Sequence, residues 1–308
     1  MDNLLEETRY IMRKYGVIAD KKLGQNFLIN SDIIEGIVQG ANLSKDDLVI
    51  EIGPGLGTLT KYLSQTAGKV ICVELDRRMI NVLQDRFKDV NNIEIIYGDI
   101  LKIDLEKIIE ENNQYKNVKV VANLPYYITT PIIMRLLEEK INIKSITIMV
   151  QKEVADRIVA DPNNKDYGVL TVSIAYYSKA NLVLQVPSTD FLPEPKVNSS
   201  VVTLQVNDEV QKKVLDEKIF FSFVKGGFAQ RRKIFLNSID SILIKNNITK
   251  EEFKNILKEL EIDEMVRAEN ISIEDYIDIA NKVYNLKENR WLYVTKECFN
   301  NWRKRRNV

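Results

Sequence analysis

The 308-residue sequence contains no histidine. That absence removes serine–histidine–aspartate and cysteine–histidine catalysis, and with them imidazole as general base or metal ligand. Cysteine is almost as scarce: Cys72 and Cys298 are the only two, far apart and in unlike settings, so no disulfide framework is expected. Carboxylates and these two thiols are all the chain offers a metal, and no metal site is expected. No apolar run approaches the ~20 residues that a membrane-spanning helix needs. The opening segment, residues 1–10, is acidic and lacks the apolar core of a secretory leader, so a cytoplasmic protein is expected. Net charge is missing too, because 44 Lys and Arg balance 44 Asp and Glu. The balance is uneven along the chain. Residues 287–308 hold seven basic residues against Glu288 and Glu297, which leaves residues 1–286 at −5. A nucleic-acid partner would therefore have to be held by local basic clusters.

What is present is an alternating pattern. Apolar, β-branched runs at 48–52, 69–75, 93–99, 118–124 and 145–150 predict strands buried on both faces. Helical periodicity fills 58–66, 77–87 and 131–140 between them, the mark of βαβ units around a mostly parallel sheet. Segments 181–187 and 199–206 flank a proline-rich turn and predict an antiparallel hairpin, whereas 167–178 suits a strand or a helix. After about Asn207 the texture changes to polar helices such as 251–260 and 272–285. The expected organisation is a first domain over 1–206, a small helical domain over 207–286 and a solvated basic tail over 287–308.

Strand 48–52 runs directly into Gly53-Pro54-Gly55-Leu56-Gly57 and then a helix near Thr58. Glycines allow a tight turn and close backbone approach to a ligand, although an ordinary strand-to-helix turn has the same look. A dinucleotide fingerprint would need glycine where Thr58 stands. Glycine at alternate positions after the acidic Glu51 is instead typical of class I methyltransferases, whose cofactor carries a methionine ammonium for an acidic loop to neutralise. Glu74, ending the second strand, can accept hydrogen bonds from both ribose hydroxyls, and alone it fits NAD equally well. Asp99 follows the third strand, where it would accept from the cofactor's adenine amino group, with Leu75 and Ile100 beside the ring.

The fourth strand ends in Asn123-Leu124-Pro125-Tyr126. An adenine N6 lone pair is delocalised into its ring and is a poor nucleophile. Two acceptors, the Asn123 side-chain oxygen and the Leu124 carbonyl, can hold both N6 hydrogens and favour a pyramidal nitrogen aimed at a sulfonium methyl. Pro125 stiffens the loop and adds no competing N–H. Tyr126 offers a stacking face for a base taken out of its helix. No strong base is required, because the proton leaves an already alkylated amine. A chain without histidine can run this reaction.

With these residues together, the sequence resembles the small-subunit ribosomal RNA adenine N6,N6-dimethyltransferase family over about residues 10–286. The resemblance implies a Rossmann-like class I methyltransferase domain, α/β with a mostly parallel sheet, followed by a small C-terminal helical domain. Segment 22–28 is similar to the family's N-terminal motif that folds over the methionine end of the cofactor, which implies Asn26 and Leu28 as contacts for S-adenosyl-L-methionine. Gly53, Glu74, Asp99 and Asn123 match its other cofactor positions. Phe191, in the turn 191–197, corresponds to a second aromatic wall for the target base; its plain alternative is core packing behind the prolines. Segment 228–233, with Arg231, Arg232 and Lys233, resembles an RNA-contacting stretch to which Lys225 adds charge; a solvated helix face is the alternative. Segment 262–276 resembles a helical domain that reads ribosomal architecture. The implied activity is dimethylation of each of two adjacent adenosines near the 3′ end of 16S rRNA in an assembling small ribosomal subunit, by a monomer. Nothing in the resemblance assigns the tail a role.

Three other readings share some of these features. Large-subunit rRNA methyltransferases of the antibiotic-resistance type have the tetrapeptide and cofactor motifs, but their helical domain is not recognisable here. A ribosome-assembly factor could use the same fold mainly to bind. An NAD-dependent dehydrogenase is disfavoured by Thr58 and by the lack of histidine.

Overall fold

A computed structural model describes residues 4–139 and 141–306, with side chains placed through Arg290 except at Lys21. The side chains of Cys298 and of the basic residues beyond Arg290, on which the tail and disulfide expectations partly rest, are outside what is described. The chain packs as two compact units, Met1–Val159 with Tyr177–Asn207, and Ala160–Tyr176 with Asp208–Val308.

The first unit contains β1 (Phe27–Leu28), β2 (Asp47–Ile52), β3 (Lys69–Glu74), β4 (Ile93–Tyr97), β5 (Asn117–Asn123), β6 (Ser145–Gln151), β7 (Ser178–Val186), β8 (Phe191–Leu192) and β9 (Ser199–Val206). Seven of these form one sheet in the order β4-β3-β2-β5-β6-β9-β7. The first five run parallel, and β9 and β7 close the edge antiparallel. Its helices are α1 (Leu4–Lys14), α2 (Ser31–Ala41), α3 (Thr58–Thr66), α4 (Arg77–Arg86), α5 (Leu105–Glu110), α6 (Thr129–Glu138) and α7 (Lys152–Ile158). Strands β2, β3, β5 and β6 are buried nearly throughout, because Val and Ile on both faces meet helices above and below. Strand β4 differs from the expected two-sided burial: it is an edge strand, and none of its residues is fully buried. Strand order reverses between β2 and β5, so the loops leaving their carboxyl ends part from one another and open a crevice.

The second unit is helical: α8 (Val169–Tyr177), α9 (Glu217–Phe228), α10 (Phe235–Ser238), α11 (Asp240–Lys245), α12 (Lys250–Glu259) and α13 (Ile273–Arg306). Its core is aromatic. Phe220, Phe223, Phe235, Phe253 and Tyr276 are fully buried, with Phe223 and Phe253 stacked at 5.6 Å between ring centres. Gly227 makes this possible, since a Cβ there would stand 2.6 Å from the Phe235 ring.

Two boundaries fall elsewhere than the sequence suggested. Residues 160–176, expected in the first domain, pack with the helical unit. The Asn163 N–H donates to the Glu269 carbonyl (2.8 Å) and the Tyr167 hydroxyl to the Ile271 carbonyl (2.9 Å). The ambiguous 167–178 segment supplies helix α8, buried on several sides, so no amphipathic stripe marks it. At the other end, α13 runs through 286 without a break. Lys287 donates to Asn246 Oδ1 (2.9 Å), and Arg290 reaches the Asn247 carbonyl and Glu252. The start of the basic segment is thus tied to the helical core.

Candidate active site

The crevice lies at the carboxyl ends of β2, β3, β4 and β5 and is roofed by residues 23–28. Each of the three glycines in its loop has a different reason to be glycine. Gly53, Gly55 and Gly57 all adopt positive φ, at 66°, 58° and 80°. A Cβ on Gly57 would stand 2.8 Å from Leu83, so close packing of the loop on α4 excludes a side chain. At Gly55 the neighbour is the Phe27 ring, 3.2 Å away. At Gly53 nothing lies within 4 Å, and the space a side chain would take is the crevice itself.

Three carboxylates line the crevice in order. Glu51 is 1% exposed, and among the described residues it receives hydrogen bonds only from neutral groups, Thr60 and the Cys72 thiol (3.5 Å to sulfur). Burial pushes its pKa up to about 7, with Thr60 and Cys72 pulling back against that shift and the Glu74 charge adding to it. Among the described residues no Lys or Arg pairs with it. Cys72 itself is fully buried and its thiol is pushed up by burial, so it is no nucleophile. Glu74 is also raised by burial, against the N–H groups of Asp76 and Gly55, which donate to its two oxygens at 2.8 and 3.0 Å. Each oxygen keeps a lone pair for a further donor. Asp99 is anchored differently: its Oδ1 accepts from the Leu101 N–H (2.9 Å), and Lys102 stands 3.6 Å from Oδ2.

At the end of β5, Asn123 donates its Nδ2 to the Asn26 carbonyl (3.1 Å), which leaves Oδ1 as the free acceptor of that amide. The Leu124 N–H is spent on the Met149 carbonyl (3.2 Å). Among the described residues nothing donates to the Asn123 Oδ1 or the Leu124 carbonyl. Tyr126 follows, half-buried, its hydroxyl 2.7 Å from Ser199 Oγ on β9. Burial raises the phenol pKa and the Ser199 hydrogen bond offsets part of the rise.

Asn26, Leu28, Gly53, Glu74, Asp99, Asn123, Leu124, Pro125 and Tyr126 all line this one crevice. Phe191 does not. It is 2% exposed, pairs with Leu28 across β1 and β8, and packs in the core with Ile37 and Val201. The core-packing alternative describes this placement, and Phe191 is not among the residues that line the crevice. The basic cluster also changes. Lys225, Arg231, Arg232 and Lys233 are exposed, but 229–233 is a turn after α9 and not a helix face. Arg231 donates to the carbonyls of Lys165 (2.9 Å) and Tyr167 (2.6 Å), which commits it to the 160–176 segment.

Several positioning residues had no distinct sequence signal. Gln25 donates to Asp76 (2.9 Å) and fastens the roof to the end of β3. Arg86, held by Glu7 at 2.7 Å, donates to the Leu56 carbonyl of the glycine loop. Arg135 on α6 donates to the carbonyls of Ile100 and Ile103 (2.6 Å) and so holds the Asp99 loop. Only their partners, remote in sequence, reveal these roles.

Taken together the crevice offers a buried carboxyl with no Lys or Arg partner among the described residues, a carboxylate suited to a diol, and Asp99 with apolar Leu75 and Ile100. That donor set fits an ammonium, a ribose and an adenine on one molecule. Comparison with known proteins agrees. Residues 18–285 match the profile of the family described as ribosomal RNA adenine dimethylase. The chain is 46% identical over 278 residues to the ribosomal RNA small subunit methyltransferase A of Alkaliphilus oremlandii, covering 90% of this chain and 96% of that protein. A dimethyladenosine transferase from Plasmodium falciparum superimposes with a TM-score of 0.72 at 26% identity, over 85% of this chain and 98% of that one. The 23S rRNA methyltransferase ErmE shares the fold, with a TM-score of 0.65 at 24% identity over 84% of this chain and 99% of its own.

Proposed function

The chain belongs to the ribosomal RNA adenine dimethylase family, and from that membership we infer how its own residues carry the reaction. The enzyme transfers methyl groups from S-adenosylmethionine to N6 of two adjacent adenosines near the 3′ end of 16S rRNA, dimethylating each. Bound in the crevice, the cofactor supplies an electrophilic methyl on a sulfonium sulfur. Glu51 neutralises its ammonium, Glu74 accepts from its ribose hydroxyls and Asp99 from its adenine amino group, while Gly53 leaves room and Asn26 and Leu28 close the roof.

The observation that carries the reading of the acceptor side is the Asn123 amide. Its Nδ2 is tied to the Asn26 carbonyl, which leaves Oδ1 to accept, and Leu124 and Tyr126 line the same crevice. Two acceptors aimed at one amino group hold N6 and concentrate its lone pair, a preorganised arrangement that needs no rearrangement as charge develops. Tyr126 stacks on the extruded base. After the first transfer one N6 hydrogen is gone, and a single acceptor positions the nitrogen for the second. The substrate is an assembling small subunit, met in the cytoplasm by a monomer. Lys225 on α9 and Arg232 and Lys233 in the turn after it contribute phosphate contacts, and Arg231 shapes that turn.

Mass spectrometry of nucleosides from unmethylated small subunits after incubation with enzyme and cofactor tests this reading. Wild type should form N6,N6-dimethyladenosine, and Asn123→Ala should lose at least a hundredfold in rate with cofactor affinity reduced far less, the scale for removing one preorganised hydrogen-bonding group ~2.7–4 kcal/mol. Full activity of Asn123→Ala would remove the acceptor assignment.

A further inference from the structure

One large side chain at the mouth of the crevice has no role in what precedes. Tyr127 lines the crevice yet is 56% exposed. Its direction follows from local geometry. Residues Tyr126–Ile128 form one turn of 3-10 helix, in which successive side chains diverge by about 120°. The turn is closed by the Ile128 N–H (3.2 Å) and the Thr129 hydroxyl (3.1 Å), both donating to the Pro125 carbonyl. Tyr126 turns in to meet Ser199, and Tyr127 is thereby turned out. Its ring edge lies along the roof loop, where a Cβ on Gly24 would stand 3.6 Å from Tyr127 Cδ1 and 3.5 Å from Pro125 Cβ. Among the described residues its hydroxyl has no hydrogen-bond partner. Two residues before Gly24, Lys22 is exposed, and among the described residues its ammonium has no partner either.

A single exposed aromatic is ordinary on a protein surface. This one stands at the mouth of the crevice against the roof loop at Gly24, and the exposed Lys22 lies in the same loop two residues earlier. The two target adenosines are adjacent, so whichever one occupies the pocket, an unstacked purine lies one phosphate away at the mouth. Extrusion strips that neighbour of its stacking partner, and an aromatic face restores the lost contact. We propose that Tyr127 and Lys22 form a subsite for the nucleotide flanking the target adenine, the ring stacking on its base and the ammonium contacting its phosphate. The proposal rests on the reading of the pocket as an adenine N6 site and extends it outward. Methylation at N6 leaves the face of the purine open, so the subsite accepts the neighbour before and after its own modification.

Initial rates on unmethylated small subunits at saturating cofactor, with calorimetry for the cofactor, test the subsite. Tyr127→Ala should raise the KM for subunits roughly 5- to 150-fold, the range for losing one stacked base, with cofactor affinity within about twofold. Tyr127→Phe and Tyr127→Trp should restore the KM. Lys22→Gln should lower the log–log salt slope of binding by about one. An unchanged KM in Tyr127→Ala, a Phe variant as impaired as the Ala variant, or a matching loss of cofactor affinity would each overturn the subsite, the last by showing that the ring only packs the roof. Failure of the adenine reading is seen separately, as no dimethyladenosine from wild type. A fluorescent single-stranded RNA with two adjacent adenosines then still reads the subsite, because Tyr127→Ala must weaken its binding if the ring stacks.

Discussion

Strand β2 carries a buried carboxylate near each end, and the two are treated in opposite ways. Asp47, at the amino end, is 0% exposed and fully satisfied: Lys119 Nζ stands 2.9 Å from Oδ2, Asn117 donates at 2.7 Å and the Ser44 N–H at 2.7 Å. Burial alone would raise its pKa, but these donors and the Lys119 charge together hold it below the usual carboxylate range. Glu51, four residues on, is as deeply buried and among the described residues has only Thr60 and Cys72. The structural end of the sheet supplies its own counter-ion. At the ligand end the protein leaves an anion unmatched, so that a cationic ligand completes it and stability is given up for binding.

Breaking the satisfied pair should have the largest effect. Lys119→Met leaves Asp47 buried without its cation and should cost about 3–5 kcal/mol in denaturant unfolding. The double variant Asp47→Asn with Lys119→Met should recover much of that. Because the Asp47 pKa is depressed, its contribution is present above the unfolded carboxylate pKa and lost as pH falls through the folded value, so the variant's deficit should shrink in acid. A deficit independent of pH would mean packing, not charge, is what Lys119 supplies.

Glu51 should show the reverse sign. A carboxylate raised from 4.5 to about 7 binds its proton more tightly when folded, so its stability contribution is full below pH 4.5 and lost as pH rises through 7. The ligand-free enzyme should lose up to about 3 kcal/mol between pH 4.5 and 8 from this group. Glu51→Gln should flatten that dependence in thermal unfolding while weakening cofactor binding by about 1.5–3 kcal/mol. The rise in Tm on adding S-adenosylmethionine should therefore be greater at pH 8 than at pH 5.5 in wild type, and the variant should lose the difference. Glu74→Ala sharpens the contrast: it should cost a similar ~1.5–3 kcal/mol of cofactor affinity, as a hydrogen bond to a charged acceptor, with RNA affinity unchanged.

The smallest effects separate two arginines in one turn. Arg232→Gln should lower the salt slope of subunit binding by about one, as a phosphate contact does. Arg231→Gln should leave the slope nearly intact and cost about 1 kcal/mol of stability, because its guanidinium is bonded to the Lys165 and Tyr167 carbonyls. Equal slopes in the two variants would return Arg231 to the RNA.

By itself the sequence determined whatever depends on local periodicity and short spacing. Runs of Val and Ile between amphipathic helices require a parallel sheet, and glycine, carboxylate and Asn-Leu-Pro-Tyr at successive strand ends must meet at its carboxyl edge, because every parallel strand delivers its last residue to the same side. The absence of histidine likewise limits the chemistry open to the chain. Tertiary structure alone decided where a side chain's value lies in what it meets. Phe191 reads the same in a wall or a core, and only its pairing with Leu28 buries it. Residues 160–176 join the helical unit through bonds to Glu269 and Ile271, more than a hundred residues away, which no periodicity encodes. Arg86, Arg135 and Arg231 act on main-chain carbonyls, and a carbonyl is present at every residue, so nothing in the sequence distinguishes the one that is met. The inequality of Asp47 and Glu51 has the same origin: two carboxylates on one strand differ in which distant donors reach them, Lys119 and Asn117 at Asp47 and only neutral groups at Glu51, and that is settled by packing.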